Sequence, residues 1–298
     1  MVCQVGLKVD VDTLVGYQRG VPALLEQFAG AGVRATFFFA VGPDRSGLAI
    51  RRVFTQRGFI GKMVRNRAPM TFGLKTMLYG TLLPAPLVVA SDPGIARAVA
   101  EAGHEVGVHG WDHIGWHDGV GRWPQGKLQE QLDRAYDALA GAIGRIPDCF
   151  AAPGWQCCPN SLRDHDARGL RYASDLRGPV GPFRPCLDGK VFATPQLATN
   201  LPTMDEMWGL TARDGREAVR NWLQGLDAAA NVLTVHTELE GLALPEVLPS
   251  FLRQAQERGA ICGPLRDLVD GLDSQALPVR DIRAVRLPGR AGWVWGAG

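Results

Sequence analysis

Short apolar runs alternate with longer amphipathic segments along most of the chain. Apolar runs rich in β-branched residues predict buried strands at residues 5–11, 34–41, 105–108, 149–152, 170–173, 192–197 and 231–235, with a last short strand at 260–262. Apolar residues at helical spacing predict helices at residues 20–31, 93–102, 125–143, 214–226 and 245–258, and a short helix capped by Asn160 or Ser161. About seven strands alternating with helices predict an α/β fold of the (β/α) barrel type. We expect one domain spanning residues 1–298.

Residues 45–91 interrupt this rhythm after the second predicted strand. The segment has no acidic residue, and its eight basic residues are Arg45, Arg51, Arg52, Arg57, Lys62, Arg65, Arg67 and Lys75. Apolar residues interleave with them at roughly helical spacing, which favours an insertion lying on an anionic membrane surface. There each basic residue contributes about 1 kcal/mol, and Arg51, Arg52, Lys62 and Arg65 are the expected contacts. The alternative is an ordinary amphipathic helix with a solvated basic face. Nucleic acid is disfavoured because the apolar half of the segment would have no role there.

Composition narrows the setting of the protein. The chain has 298 residues and is 46% hydrophobic, which is enough for a large buried core. No apolar run reaches 18 residues, the N-terminus lacks the pattern of a secretory signal, and the six cysteines show no paired spacing. We therefore expect reduced thiols in a cytoplasmic protein. The basic tail at residues 278–298 is either a second interfacial contact or a packed arm.

Polar side chains follow several predicted strands at their carboxyl ends: Asp10, Asp12, His109, Asp175 and His236. In parallel α/β folds these ends meet at one edge, where chemistry takes place. Asp10 and Asp12 share one face if the strand stays extended, and two carboxylates so close require a cation or a proton between them. The alternative is that Asp12 caps the next helix.

His109 and His113 stand four residues apart in the stretch HGWDH. Alone this spacing is weak, but with a strand-end aspartate it gives a two-histidine, one-carboxylate set that leaves positions open for water and substrate. We expect one divalent ion here, and the sequence does not distinguish zinc, manganese, cobalt, nickel or iron. His104 is expected to be structural, and His165, in a polar helix, is expected to be solvated.

These motifs resemble the polysaccharide deacetylase, or NodB-homology, superfamily. The resemblance implies a distorted (β/α)7-type barrel and a metal-dependent amide hydrolase. It assigns Asp10 as the catalytic base, Asp12, His109 and His113 as metal ligands, and His236 as the general acid.

The third motif of the superfamily, Arg-x-Pro-Tyr, is replaced here by residues 151–155, AAPGW. The arginine that would position Asp10 is therefore missing, and Asp175 or Arg177 is the expected substitute. A backbone N–H near Gly154 or Trp155 is expected to stabilise the oxyanion. Two acids after the last predicted strand, Glu238 and Glu240, are expected to contact the sugar.

Several stretches, among them VGLKVDVDT, VGPD, YASDLRG and VHTELEG, point to one branch of the superfamily. That branch removes the formyl group from 4-deoxy-4-formamido-L-arabinose linked to undecaprenyl phosphate, in lipid A modification and polymyxin resistance. The resemblance implies a lipid-linked sugar substrate and a protein peripherally associated with the cytoplasmic face of the inner membrane. We infer no obligatory protein partner. Two alternatives are an N-deacetylase of N-acetyl sugars in peptidoglycan or chitin-type glycans, and a non-catalytic sugar- or lipid-binding protein on the same scaffold.

Overall fold

A computed structural model of the protein describes residues 2–51 and 75–298, within which the elements are numbered in chain order. The strands are β1 Gln4–Val11, β2 Thr36–Phe39, β3 Glu105–Val108, β4 Cys149–Phe150, β5 Tyr172–Ala173, β6 Arg184–Leu187, β7 Lys190–Val191, β8 Ala230–His236, β9 Ile261–Gly263, β10 Val279–Val285 and β11 Val294–Ala297. The α-helices are α1 Val21–Ala31, α2 Pro93–Glu101, α3 His113–Gly119, α4 Gln125–Ile143, α5 Pro159–Arg168, α6 Met204–Met207, α7 Gly215–Gln224 and α8 Val247–Glu257.

The main sheet has seven strands in the order β5-β4-β3-β2-β1-β8, with β9 also paired to β1. All of its pairings are parallel, so the carboxyl ends of the strands lie along one edge. Helices follow the strands, and the sheet curls into the distorted barrel that the sequence predicts. The register places Asp10 of β1 beside His236 of β8.

Strand β1 is buried on both faces, and its side chains alternate between two environments. Val5, Leu7 and Val9 pack in the large apolar cluster beneath the helices. The side chains between them, including Lys8 and Asp10, point to the opposite face because strand side chains alternate with a period of two. Both are almost fully buried, at 0% and 3% exposure. A polar pair therefore lies inside the curl of the sheet.

The basic C-terminal tail is a packed element. Its strands β10 and β11 pair antiparallel, and β10 also pairs in parallel with β6 in a second sheet of order β11-β10-β6-β7. The backbone of Arg177 exchanges hydrogen bonds of 2.9 Å with Trp295 and Ala297, which joins the tail to the segment after β5.

Two sequence predictions of local structure are wrong. Residues 192–197 form only isolated bridges, from Gln196 to Ala173 and to Phe183, because Pro195 has no N–H with which to extend the ladder. The helix α5 is capped by Cys158 and not by Asn160 or Ser161. The Cys158 side chain accepts from the Ser161 N–H, and the Ser161 hydroxyl accepts from the Cys158 N–H.

The basic insertion is described only at its two ends. A 3₁₀ turn, Ser46–Arg51, follows β2 and ends the first described part of the chain. Arg51 is one of the four expected membrane contacts, and only its backbone is described. The other expected membrane contacts, Arg52, Lys62 and Arg65, lie outside the described residues. Near the far end of the insertion Leu82 is 80% exposed and Leu87 is 44% exposed. Within residues 2–51 and 75–298, no helix has the length and hydropathy needed to cross a membrane.

Candidate active site

Three side chains converge at the carboxyl edge of the main sheet. Asp12 follows β1, His109 follows β3, and His113 is the first residue of α3. Asp12 Oδ1 lies 3.3 Å from His109 Nε2 and 3.5 Å from His113 Nε2. The turn between the histidines depends on Gly110, whose φ of 78° favours glycine, and on Asp112, which caps α3 by accepting from the Gly115 N–H. The predicted two-histidine, one-carboxylate set is therefore assembled.

The orientation of the His109 ring suits this group to a cation. Its Nδ1 lies 2.7 Å from the carbonyl oxygen of Ala151, which can only accept, so Nδ1 donates and Nε2 is the ring nitrogen that faces Asp12. The facing oxygen, Asp12 Oδ1, is buried and has no hydrogen-bond partner among the described residues. Nε2 and Oδ1 are both metal-ligand atoms, and the Ala151 carbonyl gives Nδ1 the orienting contact usual for a metal-bound histidine.

The electrostatics of Asp12 agree with this role. Burial alone would raise the pKa of the Asp12 carboxyl, but the nearby imidazoles of His113 and His109 outweigh it and hold that pKa below its usual range. The carboxylate is therefore ionised, as a ligand must be.

Asp10 lies beside the three-residue group but is not part of it. Its Oδ2 is 4.0 Å from His109 Nε2 and 3.5 Å from the ammonium of Lys8. Its Oδ1 is buried with no hydrogen-bond partner among the described residues. A buried carboxylate oxygen without a partner can accept a proton or a hydrogen bond.

His236 ends β8 next to Asp10 in the sheet register. Burial disfavours the imidazolium, but carboxylates, led by Asp205 and followed by Asp12 and Asp10, outweigh it and raise the pKa of His236. Its Nδ1 has no hydrogen-bond partner among the described residues. The raised pKa favours the protonated ring, which is the form that a proton donor requires.

The two acids that follow His236 are both buried, and the structure gives each an internal contact. The hydroxyl of Thr13 donates to Glu238, and Glu240 Oε2 accepts from the backbone N–H of His236 at 2.8 Å. Burial raises the pKa of both carboxyls to about 7. Glu240 therefore holds the backbone at the end of β8, and its other oxygen, Oε1, has no partner in the described part of the chain.

The turn that replaces the third motif, Pro153–Trp155, follows β4 in a left-handed conformation, with φ of 63° at Gly154 and 54° at Trp155. The Trp155 N–H donates to the Ala152 carbonyl at 3.1 Å, so it is already engaged. Gly154 is accordingly the better candidate for an oxyanion donor. His117 packs so closely against Gly154 that a Cβ there would meet its ring at 2.0 Å.

Asp175 and Arg177, the expected substitutes for the missing arginine, both pair with residues other than Asp10. Asp175 is fully buried and lies 3.1 Å from His165 Nε2, while Arg177 Nη2 lies 3.1 Å from Glu206 Oε2. Neither is brought to Asp10, whose cationic neighbour is Lys8. The expectation that His165 is solvated is wrong, because its ring is 1% exposed and packs on Phe150.

The family model for polysaccharide deacetylase matches residues 7–173, more than half of the chain. The chain belongs to the polysaccharide deacetylase family. The matched region includes Asp10, Asp12, His109 and His113, so the assembled site falls within the part of the chain that defines the family.

Relatives within this family are similar over almost the whole chain. A Shewanella sediminis protein named as a probable 4-deoxy-4-formamido-L-arabinose-phosphoundecaprenol deformylase is 34% identical, over 98% of this chain and 94% of its own. A Wigglesworthia glossinidia protein of the same name is 29% identical over 94% of this chain and 97% of its own. A solved Mycobacterium smegmatis structure, assigned to the polysaccharide deacetylases, aligns with a TM-score of 0.66 at 18% identity and covers 96% of this chain and 95% of its own. The structural likeness confirms the predicted fold.

Sequence reasoning missed Lys8. The indication was present, because a lysine inside an apolar strand and two residues before Asp10 must share the face of that aspartate. A buried lysine is uncommon unless it is paired.

Proposed function

We propose that this protein is a hydrolase that removes the formyl group from 4-deoxy-4-formamido-L-arabinose linked to undecaprenyl phosphate and releases formate. The observation that carries the proposal is the 34% identity over 98% of the chain to a relative named for that activity. The assembled site supplies the chemistry such a reaction needs. The resemblance also assigns the reaction to lipid A modification and polymyxin resistance.

We further propose that Asp12, His109 and His113 hold one divalent metal ion. Their donor atoms lie within 4.8 Å of one another, and one of the three is a buried carboxylate oxygen without a hydrogen-bond partner in the described chain. A metal ion held by these residues would polarise the formyl oxygen and lower the pKa of water at the site. The donor set does not select among zinc, manganese, cobalt, nickel and iron.

The other residues move and balance protons. Asp10 accepts a proton from the attacking water through its unpartnered Oδ1, and the N–H of Gly154 donates to the developing oxyanion. His236 donates its proton to the sugar nitrogen as the carbon–nitrogen bond breaks, so the products are formate and a free sugar amine. His236 lies beside Asp10 in the sheet register, which places acid and base at neighbouring strand ends.

We propose that the insertion brings this site to an anionic membrane surface at the cytoplasmic face of the inner membrane. The charge of residues 45–91 and the exposed Leu82 and Leu87 support this. The chain at the start of the insertion also contacts residues next to the site. Asp44 Oδ2 accepts from the Leu14 N–H at 2.9 Å, and Arg45 Nη1 lies 2.7 Å from Asp112 Oδ2.

The activity is tested by measuring formate release from the lipid-linked sugar by purified, metal-loaded protein. Asp10→Asn should lower kcat by about 10²- to 10⁴-fold and retain the metal, whereas Asp12→Asn should lose the metal. Asp133→Asn, at a carboxylate whose side chain is 61% exposed, is the matched control and should behave as wild type. No formate release together with cleavage of N-acetylated glycans would replace this proposal with the N-deacetylase alternative.

The membrane contact is tested by flotation with anionic liposomes. A variant with Arg51, Arg52, Lys62 and Arg65 neutralised should float less than wild type, and the difference should shrink at high salt. The control neutralises four exposed bases elsewhere, namely Arg145, Arg216, Arg253 and Arg258. Equal flotation of the two variants would remove the insertion from the proposal.

A further inference from the structure

The catalytic base proposed above is buried, and a buried carboxylate needs a compensating partner. The side chain of Asp10 is 5% exposed, and the arginine that would pair with it in the third motif of the superfamily is absent, since Ala151 begins that motif here. A partner must come from another part of the chain. The charged side chain that the structure places against Asp10 Oδ2 is Lys8, at 3.5 Å.

Lys8 is held in place from several directions. Its Nζ donates to the carbonyl oxygen of Ser174, just after β5, at 3.2 Å. The ammonium also lies 5.3 Å from the ring centroid of Trp155 and 5.8 Å from that of Phe38. The side chain is 0% exposed, so it has no alternative partner in solvent. A flexible lysine is thereby fixed at one position between β1 and β5.

We infer that Lys8 is the positioning residue for the catalytic base, and that it performs from β1 the task for which the superfamily uses an arginine of the third motif. This inference rests on the proposed function, because it assumes that Asp10 is the base. The ammonium binds one carboxylate oxygen of Asp10 and leaves the other directed at the water. It also keeps the carboxylate away from the metal ligands, whose nearest nitrogen, His109 Nε2, is only 4.0 Å from Asp10 Oδ2.

The consequence of removing the ammonium follows from this geometry. In a Lys8→Met variant the alkyl stem still fills the space, but Asp10 loses its cation. The next cation within reach is a metal held by Asp12, His109 and His113, so the carboxylate should turn to it as an additional ligand. A base that has become a ligand no longer accepts the proton of the water.

The experiment compares Lys8→Met, Lys8→Arg and the control Val9→Ala, which removes buried packing from the opposite face of the same strand. For Lys8→Met we expect kcat for formate release to fall by about 10²-fold or more, with KM within threefold of wild type. Lys8→Arg should recover at least a tenth of the wild-type kcat. Val9→Ala should be less stable, with kcat unchanged. Wild-type kcat in Lys8→Met would overturn the inference, and so would a Lys8→Arg variant as inactive as Lys8→Met.

A second measurement needs no substrate and so separates this inference from the proposed function. Each variant is titrated with Co²⁺, whose visible absorption reports the number of ligands. Lys8→Met should bind Co²⁺ at least as tightly as wild type and show the weaker absorption of a higher coordination number, whereas Lys8→Arg should match wild type. An unchanged Lys8→Met spectrum, or loss of Co²⁺ binding, would overturn the inference. Absence of formate release by wild type would overturn the proposed function alone.

If Lys8→Met does not fold, the test uses the double variant that carries both Lys8→Met and Asp10→Asn, in which both charges of the pair are removed. With the carboxylate already neutral, loss of Lys8 should lower kcat no further than Asp10→Asn alone does, to within threefold. A much larger loss in the double variant would show that Lys8 acts on something other than Asp10.

Discussion

His104 should make the protein lose stability in mild acid. The residue precedes β3 at the end of the sheet away from the active site, and its Nδ1 accepts a 3.0 Å hydrogen bond from the Ala35 N–H. Its ring packs between Phe28 and Phe37, with centroid distances of 5.6 and 5.2 Å. The ring is therefore neutral in the folded state, and burial lowers the pKa of His104 from 6.5 to about 4.

The sign and size of the effect follow from this pKa. Below pH 6.5 His104 becomes protonated in the unfolded chain, whereas in the folded chain it stays neutral until the pH falls to about 4. The contribution to the free energy of unfolding is thus complete above pH 6.5 and is lost as the pH falls toward 4. Each pH unit costs about 1.4 kcal/mol, and between pH 7 and pH 5 the loss should reach about 2 kcal/mol.

The assay is urea unfolding of wild type and His104→Asn at pH 7 and pH 5. The asparagine oxygen can accept the Ala35 hydrogen bond but does not titrate, so its packing loss is the same at both pH values. Glu238 and Glu240, with pKa values raised to about 7, act in the opposite direction and are common to both proteins. Wild type should therefore lose about 2 kcal/mol more than the variant on acidification. Equal losses in the two proteins would refute the assignment of a neutral, acid-resistant His104.

Two further outcomes test the surroundings of the site. Arg45→Met breaks the 2.7 Å ion pair to Asp112, which caps the helix that carries the proposed metal ligand His113. Metal affinity should therefore fall by about 10-fold on equilibrium titration. Unchanged affinity would show that the ion pair does not orient His113. Gly154→Ala should lower both kcat and thermal stability, because its Cβ would meet the His117 ring at 2.0 Å. The control Gly144→Ala has a similar positive φ of 76° with no atom within 4 Å, so it should lose only the backbone cost of about 1 kcal/mol and keep full activity.

The site was predictable where its residues follow strands with clear apolar patterns. Asp12 and His109 end such strands, and parallel strands necessarily bring their carboxyl ends to one edge. His113 followed from its spacing to His109. Sequence periodicity and strand-end chemistry were therefore sufficient to bring the two histidines and an aspartate together, whereas the choice of Asp12 over Asp10 as the ligand came from the family resemblance.

The parts that could not be predicted depend on pairing across the fold. The burial of His165 depends on Asp175 and Phe150, which adjoin different strands, and nothing in its polar helix indicates that contact. Residues 192–197 have an apolar pattern, but Pro195 prevents a continuous ladder, and the strands form in the preceding hairpin instead. The local sequence pattern shows which face of a helix or strand is apolar, but which element packs against that face depends on the tertiary fold.

The position of β1 in the sheet has a consequence for how the chain is made. β1 leaves the ribosome long before its partners on one side, β8 and β9, which begin at residues 230 and 261. Until those residues are made, that edge of β1 lacks the strands that cover it in the described structure, and an unpaired edge invites association with other chains. The proposed proton donor, His236, arrives on the strand that covers this edge. Covering the edge and bringing the proposed proton donor beside Asp10 are therefore one event. A chain that ends before β8 but holds all three proposed metal ligands should lack that proton donor and be prone to aggregate.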